Sequence, residues 1–182
     1  MKDQYKRRTC IGLQPIEVRK IRSYLLNPTG KTPEQIEEDF QLWVMIILSI
    51  TLFLRFDEVC NLKMSDFEQE RFSFDRTGIR GLALYIKGKC DKLKHLFAIR
   101  ENTSYFDIDP IPVLLIYIIK RRLGTDNYLF PGCRTESYCH ETFIRKMKYI
   151  MIHVLKKESN HKNIFGTHIW RKTAYAFALV GK

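Results

Sequence analysis

Three widely separated stretches of this sequence place cations where a cation can do chemistry. Arg55 follows a run that is apolar almost without interruption from Leu42 to Leu54. A guanidinium stays charged, is poorly hydrated, and presents a fork of donors suited to a phosphate or carboxylate. At the end of a buried helix it is costly without a partner. Either Arg55 pairs internally, with Asp57 or Glu58, or it points into a pocket that receives an anion. Near the other end of the chain, His168 and Arg171 stand at i and i+3 and share one helix face. Aimed together from a helix N-terminus, where unpaired N–H groups also favour anions, they form a phosphate clamp. Between these stretches, Gly88-Lys89-Cys90-Asp91-Lys92 reads as a hairpin turn tipped with lysines. Cys133, Cys139 and His140 could be partial metal ligands, but no second CxxC or HxxxH completes a site, so no metal is expected.

The elements that must position these groups follow from the patterning. Pro15 suits a first helical turn, and Ile16, Val18, Ile21, Leu25 and Leu26 give a helical stripe that Asn27-Pro28-Thr29-Gly30 ends. Thr32-Pro33-Glu34-Gln35 is a helix start: threonine as N-cap, proline first, glutamine third. The helix it opens becomes the apolar run of Leu42 to Leu54, too short and too closely followed by charge to span a bilayer. From Phe72 the period changes to that of strands, and Leu82–Lys87 and Leu93–Ile99 flank the lysine turn as a hairpin. Ser104 to Ile108 reads as a further short strand. Asp109-Pro110 caps a helix to Arg122 that is apolar nearly all round, hence predicted to be central. Residues 125–139 read as loop. The stretch from Glu141 to Lys157 is the cleanest amphipath in the chain: Phe143, Ile144, Met147, Ile150, Met151, Val154 and Leu155 on one side, Arg145, Lys146, Lys148, Lys156 and Lys157 on the rest. Thr167 is the expected N-cap of a last helix over His168–Leu179. The fold class is therefore mainly α with a small antiparallel β-sheet, an α+β arrangement.

Composition narrows the partners. The chain has 182 residues, which fits one domain with a substantial core. Its 31 basic and 20 acidic residues give a formal charge of +11, which favours a polyanion. The basic residues are spread along the chain, so a folded basic face is expected, with Arg145, Lys146 and Lys148 as part of it. Residues 1–12 are a basic lead-in. Five cysteines, odd in number and irregularly spaced, imply a reducing compartment, and no signal peptide is visible. The expected location is intracellular, in prokaryotic cytoplasm or a eukaryotic nucleus, not secreted and not on a membrane.

These residues together resemble the catalytic domain of the tyrosine recombinases, the phage-integrase family. Leu54-Arg55-Phe56-Asp57-Glu58-Val59-Cys60-Asn61-Leu62-Lys63-Met64-Ser65-Asp66 is similar to the family's first box, an arginine with an acid three residues on. Ile86-Lys87-Gly88-Lys89-Cys90-Asp91-Lys92 resembles its lysine hairpin, and Thr167-His168-Ile169-Trp170-Arg171-Lys172-Thr173 its second box. Leu13-Gln14-Pro15-Ile16-Glu17-Val18 resembles the opening of the catalytic domain, so the resemblance covers residues 13–179. It implies DNA strand cleavage and rejoining through a 3′-phosphotyrosyl intermediate, without metal or other cofactor, on double-stranded DNA. Arg55 and Arg171 would hold the non-bridging oxygens, His168 would add a hydrogen bond or assist proton transfer, and Lys89 would protonate the leaving 5′ oxygen. Glu58 and Lys172 would support the site; Lys87 and Lys92 would meet the DNA backbone. Integration, mobile-element and site-specific recombination roles all fall within the family.

The sequence departs from the pattern in three places. Phe53 stands where the family has a glycine before Leu-Arg. Lys172 stands where it often has histidine. The nucleophilic tyrosine, which the family carries beyond the second box, has no counterpart, and Tyr175 is too close to Arg171 on the same helix face to serve. Residues 13–182 are therefore expected to be a catalytic-domain core with its C-terminal part missing, inactive and monomeric alone, from a protein tetrameric on DNA. Two alternatives are an inactive DNA-binding relative and an unrelated basic helical domain that binds nucleic acid.

Overall fold

The structure is a computed structural model that describes residues 12–75, 78–87, 94–100, 108–122, 127–131, 140–157 and 169–180, the strands mostly as backbone. Its elements in chain order are α1 (Pro15–Leu26), α2 (Pro33–Thr51), α3 (Phe56–Cys60), a 3₁₀ turn (Met64–Asp66), β1 (Phe67–Asp75), β2 (Gly78–Lys87), β3 (Lys94–Arg100), α4 (Pro110–Arg121), α5 (His140–Tyr149) running into a π-helical turn (Ile150–Val154), and α6 (Ile169–Val180).

α2 is the axis of the molecule. Its start is the predicted capping box: the Gln35 N–H donates to the Thr32 hydroxyl at 3.3 Å, and the Thr32 N–H to the Gln35 side chain at 3.0 Å. Every residue from Gln41 to Ile50 is buried. An element apolar on most faces needs neighbours on most faces, and α1, α4 and α6 all pack on α2. The two buried polar side chains on its early turns are satisfied. Gln41 accepts from the Tyr117 hydroxyl of α4 at 2.9 Å and donates to the Pro131 carbonyl at 3.2 Å. Asp39 lies 2.7 Å from the Lys31 ammonium.

The three strands form one sheet in the order β1-β2-β3, both pairings antiparallel. The β2–β3 register ends with Lys87 opposite Lys94, so the residues joining these strands include Lys89 and Lys92. Lys89 and Lys92 themselves, the expected strand Ser104 to Ile108 except Ile108, the possible ligands Cys133 and Cys139, and the cap Thr167 lie outside the described residues; Ile108 is buried and not in a strand.

The structure corrects several expectations. The apolar run is not one helix ending at Arg55. α2 stops at Thr51, the chain turns through Phe53 with φ 55°, and Arg55 becomes the N-cap of α3. α4 is not apolar toward protein all round: Pro110, Ile111, Leu114 and Tyr117 are buried, but Ile116 is 56% and Ile119 74% exposed. The sequence could not give this because an all-apolar helix has no polar face to point outward. On α1, Ile16 is likewise exposed while Val18, Ile21 and Leu25 make the core contact. The amphipath from Glu141 does not stay α-helical to Lys157; it widens into a π turn at Ile150 and leaves Lys156 at φ 54°. Within the segment read as loop, Leu129 and Phe130 are fully buried, and the Leu129 N–H donates to the Leu62 carbonyl at 2.7 Å.

Candidate functional site

Arg55 sits on a turn built to hold it. The Arg55 N–H donates to the Glu58 carboxylate at 2.7 Å, which closes the first turn of α3. The other Glu58 oxygen stands 3.8 Å from the Arg55 guanidinium, outside hydrogen-bond range, and the arginine side chain is 39% exposed. Of the two readings open for Arg55, internal pairing is thus present but weak. Glu58 orients the arginine without satisfying its donors. Beneath it, Phe56 is buried and stacks on Phe143 of α5 with ring centroids 3.9 Å apart, and Val59 and Cys60 are also buried, which fixes α3 in the core.

Arg171 is set on α6 by a different device. Ile169, Trp170, Thr173 and Ala174 are buried, so the helix cannot rotate without breaking core contacts. The Thr173 hydroxyl donates to the Ile169 carbonyl at 2.8 Å and accepts from the Leu13 N–H at 2.9 Å. Gly12 lies so close to this turn that a Cβ there would sit 2.7 Å from the Lys172 carbonyl oxygen. The segment before α1 is therefore pressed onto α6 backbone to backbone, at a glycine because nothing larger fits. Arg171 itself is partly buried, and its Nε has no hydrogen-bond partner among the described residues. A buried N–H without an acceptor costs about 1–3 kcal/mol. Lys172 beside it is exposed.

One contact joins the two arginine-bearing segments. The Phe53 and Tyr175 rings meet edge to face, centroids 5.3 Å apart with 72° between planes. Phe53 is two residues before Arg55, and Tyr175 is one turn after Arg171. Tyr175, too close to Arg171 in the sequence to be expected as the nucleophile, packs on Phe53 and is 58% exposed. His168 precedes the first described residue of α6 and, like Lys89, lies outside the described residues; of Lys87 the backbone alone is described.

The expected basic face of α5 divides. Arg145 and Lys148 are exposed. Lys146 is not offered to solvent in the same way: its ammonium lies 2.7 Å from Glu38 and 3.5 Å from Asp39. A cavity of about 560 Å³ opens here between α1, α2 and α5, lined by Tyr24, Lys31, Asp39, Lys146 and Tyr149 among others. Its central charges neutralise one another, and Lys31 also donates to the Tyr24 and Leu25 carbonyls at the end of α1. Burial, with the Tyr149 and Asp39 neighbours adding to it, pushes the Tyr24 hydroxyl above its usual pKa. Sequence spacing put Lys146 on the charged side of the helix and could not see the acids of α2 opposite it. Among the described residues there is no cluster of three or more metal-ligating side chains.

The architecture that carries these two arginines is the tyrosine recombinase fold. Two solved structures are similar to it over 94% of this chain. One is the XerH site-specific recombinase bound to difH substrate in a pre-cleavage complex, with a TM-score of 0.63 and 16% sequence identity. The other is the same recombinase bound to palindromic difH in a post-cleavage complex, with a TM-score of 0.64 and 16% identity. The chain spans 43% of the length of each. No protein-family model and no curated protein sequence matches it.

Proposed function

We propose that this chain is the phosphate-binding core of a site-specific tyrosine recombinase, acting on double-stranded DNA through a 3′-phosphotyrosyl intermediate. The observation that supports the reading is that a recombinase fold carries both an Arg55 that is 39% exposed and an Arg171 whose buried Nε lacks an acceptor among the described residues. A backbone phosphate between them would accept from both forks. The negative charge that builds on the non-bridging oxygens in the transition state would then meet donors already in place. In this reading His168 adds a donor at the start of α6, Lys89 delivers the proton to the departing 5′ oxygen, and Glu58 and Lys172 support the two arginines. Arg145 and Lys148, with Lys87 and Lys92, extend the contact along the DNA backbone; Lys146 serves the helix packing instead. Tyr175 is not the attacking tyrosine in this reading, because it is carried on the helix of its own activator and engaged with Phe53.

The test is strand cleavage by the intact protein that carries this chain, on a nicked duplex that traps the covalent intermediate. Arg55→Ala and Arg171→Ala should each slow adduct formation by about 100- to 1000-fold. Variants that cleave at the parent rate would refute the site. Residues 1–182 alone should form no adduct; one that disappears in Tyr175→Phe would move the nucleophile onto α6.

A further inference from the structure

Phe53 holds a backbone conformation that a phenylalanine resists. At φ 55° its Cβ crowds the following carbonyl, and a bulky residue there is a clear outlier. Glycine would adopt this turn without strain. Strain of this kind persists where the surrounding structure over-determines it, often beside functional groups. The neighbouring structure identifies what holds it. The Phe53 ring packs against the core and meets Tyr175 edge to face at 5.3 Å. Tyr175 gains little burial from this, since it remains 58% exposed. The contact is thus a poor contributor of hydrophobic burial. Its ends, however, are two residues from Arg55 and one helical turn from Arg171.

We propose that Phe53 and Tyr175 are positioning residues, a ring-to-ring bolt that sets the spacing and tilt of Arg171 relative to Arg55. The inference rests on the reading that both arginines take one tetrahedral oxyanion. Phe53 lies in the turn beyond α2, and Tyr175 lies on α6. An edge-to-face pair between them constrains both the spacing and the tilt of the two segments, since its energy depends on centroid distance and on interplanar angle. The hydroxyl of Tyr175 has no part in this; the ring does.

The experiment titrates residues 1–182 with orthovanadate, a tetrahedral oxyanion, and follows the arginine Nε–Hε resonances by ¹H–¹⁵N NMR, with the thermal midpoint as a stability control. Phe53→Gly relaxes the turn but gives up the ring's packing on the core, so the midpoint serves to show that the variant is folded; its vanadate binding should weaken about three- to tenfold. Tyr175→Ala should weaken it by a similar factor. The double variant should bind as each single one does, because both remove the same contact. Tyr175→Phe should restore parent affinity. Parent-like binding by Phe53→Gly, additive losses in the double variant, or a Tyr175→Phe as weak as Tyr175→Ala would each overturn the proposal. Arg55→Ala and Arg171→Ala separate the two levels. If they abolish binding and the aromatic variants do not matter, the bolt alone fails. If they leave binding intact, or the parent chain shows no vanadate-dependent shift, the shared-oxyanion reading fails and takes the bolt with it.

Discussion

At the scale of single residues, Glu58 and Tyr117 illustrate how environment decides a side chain's role. Glu58 has one oxygen on the Arg55 N–H at 2.7 Å and the other 3.8 Å from its guanidinium. Its first duty is to cap α3, its second to bias the arginine. Glu58→Ala should therefore cost about 1 kcal/mol of folding stability, read by urea denaturation. Tyr117 donates to Gln41 from within the core, and burial raises its pKa well above the usual 10.0. The folded chain then keeps this proton after the unfolded chain has released it. Stability from this term is complete below about pH 10 and declines as pH climbs past it. Urea midpoints compared at neutral and strongly alkaline pH should fall less in Tyr117→Phe than in the parent. Equal declines would mean that other groups set the alkaline limit.

At the scale of elements, the sequence was most readable where a local rule has one outcome. Thr32, Pro33 and Gln35 form the capping box their types demand, Asp109 caps α4 through the Ile111 N–H at 2.9 Å, and Pro15 opens α1. It was least readable where the deciding partner is distant in the chain. The end of α2 is an example. Nothing in Leu52-Phe53-Leu54 announces a break, and the left-handed turn stands only with the packing around Phe53. The resemblance held a clue in the glycine that Phe53 replaces, since a glycine there signals positive φ. The outward face of α4 and the pairing of Lys146 with α2 were hidden for the same reason. Of the candidate site, Arg55 and Arg171 stand in motifs that name them as candidates, whereas the ring contact between their segments has no such signal, because Phe53 and Tyr175 share no motif. Gly12 carries no local signal in the sequence, yet it marks a close approach to the α6 backbone. Gly12→Ala should cost about 1–3 kcal/mol, since its Cβ would meet the Lys172 carbonyl oxygen at 2.7 Å and backbone must shift. A thermal midpoint equal to the parent's would show that this junction opens without penalty.

At the scale of the whole molecule, charge governs association. With a formal charge of +11, residues 1–182 should bind duplex DNA mainly by displacing counterions. Affinity measured by fluorescence anisotropy should fall about tenfold or more between about 50 and about 200 mM salt. Binding that ignores salt would point to a different interaction. The same global view gives the Leu13–Thr173 bond a meaning beyond packing. Its partners are separated by 160 positions. During synthesis, Leu13 leaves the ribosome 160 residues ahead of its acceptor and must wait for it. Only once α6, the helix that bears Arg171, has emerged can the segment before α1 be held against it. A nascent chain halted before α6 should remain protease-sensitive around Leu13, and resistance there should appear abruptly once Thr173 has emerged.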